Sequence, residues 1–543
     1  MKSIISSFAL LLFSIGLSAQ FVSGVTVPDT TQERITDSSD ISVMLANSIQ
    51  AKDMRKHLSI LASDEYEGRE TGEKGNDMAA AYIANYFKSL DLPAIGENNS
   101  YYQKVSFNKT GWKKNSFSIN GKEHKHLWDY LAFAAMNESM PYLETDEVVY
   151  MGYGIDDKNY SDYGSKDIRG KVILINEGEP YNQDSISYVT GTSEYSEWTQ
   201  DIYKKLRVAK TKGAKMVLII SSNLKNFLGE NRRFLINPRL QLGDGEFRTD
   251  FANHAYISTT MAKEIIGAQS KKIKRWRKKN KKRGKSKKVT LNPNLILTFD
   301  KNIDVLRGNN VMGYVEGTDK KDELIVVSAH YDHLGKTGND IYNGADDNGS
   351  GTTTVIEMAQ AFALAKDMGA GPRRSVLFLL VTGEEKGLLG SEYYSENPVF
   401  PIENTVANVN IDMVGRVDEK YKDNPNYIYV IGSDRLSTDL HKINEKMNQK
   451  YSQITLDYQY NSEQDPNRYY YRSDHYNFAR KGIPAIFFFN GTHQDYHRIT
   501  DTVEKINFEK MEKVGRHFFH TAWELANRED RIVVDGVVEE GGR

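Results

Sequence analysis

Residues 324–333, Leu324-Ile325-Val326-Val327-Ser328-Ala329-His330-Tyr331-Asp332-His333, decide the fold. The first six are almost wholly apolar and rich in β-branched side chains, and a run this short predicts a strand buried on both faces, as in a parallel sheet. The strand then ends in polar residues that can bind metal. Outward from it the same rhythm repeats. Helix 350–366 is followed by strand 375–381, a short helix from Leu388 and strand 406–412. Strand 427–432, helix 436–450, a short helix from Ser473, strand 484–489 and helix 507–527 complete the series. Apolar strands separated by helices predict an α/β domain with a mixed, mostly parallel sheet sandwiched by helices.

Before this domain, residues 49–92 have the apolar spacing of helices, interrupted by Glu67-Gly68-Arg69-Glu70-Thr71-Gly72. Short β runs at Val148–Met151, 171–175 and 216–220, with a helical stretch at 202–212, predict a separate α/β module over 126–289. Its last part is a basic run: residues 271–288 contain thirteen Lys or Arg and no acid. That run reads as a solvated helix-and-loop linker at a domain boundary, with weak contact to an anionic surface as the functional alternative. At the N-terminus, Lys2, the apolar stretch 4–17 and Leu17-Ser18-Ala19 predict a signal peptide over 1–19, hence a periplasmic or secreted protein. A disordered leader is expected over 20–40 and a tail over 529–543. No later stretch has transmembrane length.

The 543 residues suffice for more than one core, and a 39% hydrophobic, 27% charged composition is ordinary for globular chains. A net charge of -2 supplies no argument for a nucleic-acid partner. There is no cysteine, which excludes disulfides, thiolate metal sites, a cysteine nucleophile and a lipidated Cys. A metal must be held by His, Asp and Glu.

Such residues stand at five successive strand ends: His330-Tyr331-Asp332-His333, Asp346-Asp347-Asn348 before a helix, Gly383-Glu384-Glu385, Asn410-Ile411-Asp412 and Tyr496-His497. Open α/β sheets place their sites there. Hydrolysis between two zinc ions requires a carboxylate able to bridge them, His and carboxylate ligands with an open position, and a proton acceptor. Asp332 is placed to hold the far N–H of His330. Adjacent Glu384 and Glu385 cannot point the same way, so one can bind metal while the other takes a proton.

In order and spacing these motifs resemble the co-catalytic two-zinc aminopeptidases of the bacterial leucyl-aminopeptidase type, relatives of glutamate carboxypeptidase II, transferrin receptor and glutaminyl cyclase. The resemblance spans nearly all of residues 310–527. It implies a zinc exopeptidase fold over 41–125 and 290–528, with 126–289 as an inserted protease-associated domain. It also implies two Zn2+ per chain, with Asp347 bridging them, His330 and Asp412 completing one site, and Glu385 and His497 completing the other. Glu384 is then the general base and Tyr496 a donor to the oxyanion, and a cis peptide is implied after Asp347. Arg472, Ser473, Asp474 and His475 resemble a motif near the substrate's amino end, although Ser473 or Asp474 could simply cap a helix. His333 and His493 lie beside the pattern and read as supporting or surface side chains; Asp346 reads as a turn residue. The expected activity is peptide hydrolysis from the amino end. A single-zinc glutaminyl cyclase, a carboxypeptidase or dipeptidase, and a non-enzymatic receptor-like module are the alternatives.

Overall fold

The computed structural model describes residues 38–164, 167–236, 238–285 and 289–538; the expected signal peptide and most of the leader lie outside them. Eight of the eleven strands of the main sheet set its order: β1 (Tyr102–Ile119), β2 (Leu295–Val315), β3 (Lys320–His330), β4 (Arg374–Val381), β5 (Thr405–Ile411), β6 (Tyr427–Ile431), β7 (Thr455–Asp457) and β8 (Ala485–Phe489). They lie in the order β7-β6-β8-β5-β3-β4-β2-β1. The centre, β8-β5-β3-β4, is parallel, whereas β2 and β1 join antiparallel and β6 runs antiparallel to β8. The mostly parallel reading thus holds for the central strands, whose residues are buried throughout β4, β5 and β8.

Helices α1 (Ala51–Leu61), α2 (Lys74–Ser89), α3 (Gly351–Asp367) and α4 (Phe508–Asn527) bury their apolar faces in one core with β3, β4 and β5. Within α1, Met54, Leu58 and Leu61 follow helical spacing and are all buried. Between α1 and α2, Glu67, Gly68 and Arg69 all have positive φ. Gly68 is required there, since a Cβ would come within 2.4 Å of the carbonyl oxygens of Gly335 and Tyr342.

The inserted module has its own six-stranded sheet, whose parallel centre is Val148–Tyr150, Val172–Asn176, Met216–Ser221 and His254–Ser258. Its core also takes in Phe117 and Ile119 of β1 and Leu295, Leu297 and Phe299 of β2. By packing, the module therefore reaches beyond 126–289 on both sides. The basic run is also more than a linker. Residues Ser270–Arg283 form a helix that buries Ile273 and Trp276 in the module, with Trp276 edge-on to Tyr150 at 5.1 Å.

Candidate metal centre

All five strand-end segments converge at the carboxyl edge of the parallel strands. His330 ends β3, Glu384 and Glu385 follow β4, and Asp412 follows β5. Tyr496 and His497 follow β8, and Asp347 sits in the turn 345–350 that leads into α3. The peptide Asp347–Asn348 is cis, as the resemblance implies.

Asp347 lies between two histidine groups. Its Oδ1 is 3.5 Å from His330 Nε2, and its Oδ2 is 3.0 Å from His497 Nε2. His330 Nε2 is also 3.4 Å from Asp412 and 3.8 Å from Glu384; His497 Nε2 is 3.3 Å from Glu385. His330 Nε2 and Glu385 Oε1 are buried without hydrogen-bond partners among the described residues. A buried carboxylate cluster with unpartnered nitrogens that face it has the donor chemistry for borderline divalent metal such as zinc.

His333 also belongs to this centre. It is fully buried, its Nδ1 is 2.9 Å from Glu385 and 3.8 Å from Asp347, and both ring nitrogens lack hydrogen-bond partners. Of the two expectations, supporting or surface, the surface position is excluded: the strand ends at His330, and His333 is buried against Glu385, beside His497.

The two adjacent glutamates differ in electrostatics. Burial and the charges of Glu385, Asp474 and Asp412 hold Glu384 well above the ordinary carboxyl range, against the pull of His330. For Glu385 burial acts in the same direction, but the neighbouring His333 and His497 rings outweigh it and hold the carboxylate far below that range. Burial disfavours charge on His330, yet Glu384, Asp412 and Asp347 together keep its pKa well above the ordinary value; His497, by the same balance, is raised to about 10. Divergent environments for adjacent carboxyls are the mark of separate ligand and proton-transfer roles.

Asp332 has a different task from the one expected. His330 Nδ1 is 3.1 Å from the Asp332 carbonyl oxygen but 3.8 Å from its carboxylate. The carboxylate instead accepts from the Thr71 hydroxyl (2.9 Å) and from the amides of Glu384 (3.1 Å) and Glu385 (3.4 Å). These donors draw it toward the loop after β4, so it positions the two glutamates while its main chain orients His330.

The Arg472–His475 motif divides. Only Arg472 lines the cleft in front of the centre. The Ser473 hydroxyl donates to Asp412 at 2.7 Å and accepts from Asn410 at 2.9 Å, so it steadies a candidate ligand rather than capping a helix. Asp474 is buried, accepts from Ser391 at 2.5 Å, and is pushed up to about 7, chiefly by burial. His475 is packed against Phe487 at 4.8 Å. Asp474 and His475 are not among the residues that line the cleft.

Several supports escaped the sequence reading. Asp346 is fully buried and accepts from Gly415 N (2.7 Å) and Asn490 (3.2 Å), with His493 Nε2 at 3.1 Å, so it is no simple turn residue. Asp501 accepts the amides of Asp346 and Asp347 at 3.0 to 3.1 Å. Arg69, also buried, donates to the carbonyl oxygens of Leu61, Tyr331, Asn343 and Gly344 at 2.6 to 2.8 Å. The only signal for Arg69 was its place in the Gly-Arg loop.

A cleft opens in front of the centre. Met413, Tyr469, Phe487 and Phe489 form its apolar wall, and Tyr496 stacks on His497 at 3.9 Å. Burial and nearby carboxylates push the Tyr496 hydroxyl above its ordinary range, so it stays protonated.

The model of peptidase family M28 matches residues 310–522, which hold every candidate ligand. A probable leucine aminopeptidase of Trichophyton verrucosum is 30% identical over 213 residues, 38% of this chain and 55% of the relative. Aminopeptidase YwaD of Bacillus subtilis is 26% identical over 220 residues, 39% of this chain and 43% of the relative. The chain thus spans about half the length of the curated relatives it matches. Among solved structures, the aminopeptidase from Aneurinibacillus sp. strain AM-1 covers 91% of this chain and 98% of its own, with a TM-score of 0.48 at 19% identity. Residues 310–522 form a domain of peptidase family M28.

Proposed function

We propose that the protein is an exported two-zinc aminopeptidase that removes N-terminal residues from peptides. The observation that carries this reading is Asp347, one oxygen facing His330 and the other facing His497. His330 and Asp412 would hold one ion with it, and Glu385 and His497 the other, with His333 beside the second. Ions held there would supply Lewis-acid polarisation of a scissile carbonyl and a water acidic enough to be a nucleophile near neutral pH. Glu384, on the cleft wall, takes the proton of the attacking water and returns it to the leaving amine. Tyr496 donates its hydroxyl proton to the oxyanion. Asp332 fixes the orientation of Glu384 through the amide it accepts. The names of the matched relatives support action at the amino end. Lys2 and the apolar stretch 4–17 support export, and no helix among the described residues is long and apolar enough to cross a membrane.

Elemental analysis after incubation with zinc is expected to give two zinc ions per chain. Glu384→Gln should keep both and lose about 10²- to 10⁴-fold in turnover. One ion or none in the parent protein overturns the centre. Acetylation of the substrate amine should abolish cleavage; release of residues from the carboxyl end of blocked peptides overturns the aminopeptidase reading and leaves the centre standing. Export predicts an intact mass for native protein that begins near Gln20, and a full-length chain refutes it.

A further inference from the structure

The cleft holds one positive side chain with no place in the mechanism above. Its lining contains the carboxylates of Asp347, Glu384 and Asp412, an aromatic wall, and Arg472 as its only Lys or Arg. With the carboxylates of Asp347 and Asp412 turned to the candidate metal positions, Arg472 is the cation of the lining that remains for an anionic substrate group. Arg472 is built to be that cation. Its main chain is fixed, with its amide donating to the Tyr469 carbonyl at 3.0 Å and the next residue tethered to Asp412. Its guanidinium lies over the Tyr469 ring at 5.0 Å, which orients the planar group through its face and leaves the N–H edges available. Its side chain is solvent-exposed, and no carboxylate among the described residues pairs with it.

We propose that Arg472 binds a carboxylate of the substrate, so that the enzyme favours peptides presenting either an acidic side chain next to the scissile bond or the free carboxyl end of a dipeptide. This rests on the aminopeptidase reading. The fork of N–H groups matches a carboxylate in two parallel hydrogen bonds. The apolar wall of Met413, Phe487 and Phe489 remains for the neighbouring hydrocarbon, so the site selects an amphipathic peptide end rather than a charged residue alone.

The test uses the full, zinc-loaded enzyme and two matched substrate pairs: glutamyl and glutaminyl 4-nitroanilides, and Leu-Leu as its free acid and its amide. The readout is the ratio of kcat/KM, anionic over neutral, within each pair. For Arg472→Gln that ratio should fall about tenfold in at least one pair, carried by KM, which is the scale of one partly exposed charge-assisted contact. Arg472→Lys should recover part of it. A fall in the anilide pair assigns the carboxylate to the side chain, and a fall in the dipeptide pair assigns it to the chain end. A ratio unchanged in both pairs, with activity intact or uniformly reduced, overturns the proposal and leaves the aminopeptidase reading in place. An enzyme that cleaves none of the four substrates overturns that reading and this proposal with it.

Discussion

Arg69→Met removes the guanidinium that ties the loop before Asp347 to the rest of the domain. Four carbonyl oxygens lose a charged donor at 2.6 to 2.8 Å. Gly344 keeps a second partner, the Gly349 amide at 3.2 Å, so three acceptors bear the loss. At about 1 to 3 kcal/mol for each buried acceptor left without its donor, the cost is about 4 kcal/mol. Methionine fills much of the volume, so little of this is cavity. The charge is lost as well, beside Asp501, Asp347, Asp332 and Glu385, which removes the cation that offsets their mutual repulsion. The assay is peptide-level hydrogen exchange over residues 345–351, because opening of this segment is local rather than global. An increment of 4 kcal/mol corresponds to about a thousandfold loss of protection. Arg69→Lys keeps the charge but cannot span all four acceptors, and should fall in between. Protection within threefold of the parent in Arg69→Met would refute the clamp.

Two further outcomes are expected. His333→Ala should lower zinc affinity about 10- to 100-fold in a chelator competition, the scale of groups that contact metal ligands; unchanged affinity removes His333 from the centre. Glu357, buried beside His57 at 3.6 Å, is pushed up from 4.5 to about 8, first by burial and then by Asp53, against the Gln50 amide. Its folded pKa exceeds its unfolded one, so its contribution to stability is full below about pH 4.5 and is lost as pH rises through about 8. Urea midpoints should therefore show Glu357→Gln gaining on the parent across that window, by an amount on the order of a few kcal/mol, and parallel profiles would contradict it.

The central strands were legible because each is buried on both faces and reads as an unbroken apolar run; β3, expected over 324–329, spans Lys320–His330. The five ligand-bearing segments were legible because a polar cluster directly after such a run has no packing role. The long antiparallel pair β1 and β2 was not. Residues such as Lys104, Lys113 and Asn115 interrupt its apolar pattern, and its stability comes from a partner nearly 200 residues away. The same distance hid Arg69, Asp501 and the true partners of Asp332, because no local spacing links residue 69 to 344 or 501 to 347. The burial of His333 was hidden for another reason. Alternation along a strand would turn it away from the site, but the strand ends at His330 and the alternation ends with it.

The ladder between β1 and β2 runs from Tyr102–Val311 to Ile119–Leu295, with one register shift between Trp112 and Lys114. It starts in the catalytic sheet and ends in the core of the inserted module. A module joined by two loose crossings could swing as a door. This one is a cantilever, clamped along a ribbon with one irregularity, near Trp112. The strand Arg239–Leu242, which pairs with β1 at Phe107–Thr110, rides on the clamped part, and Arg239 and Leu240 share a hollow with Glu385 and Lys386. Any movement of the module would therefore reach the centre through bending and torsion of the ribbon. Access for longer peptides should vary continuously with that deflection, without a latch between open and closed forms.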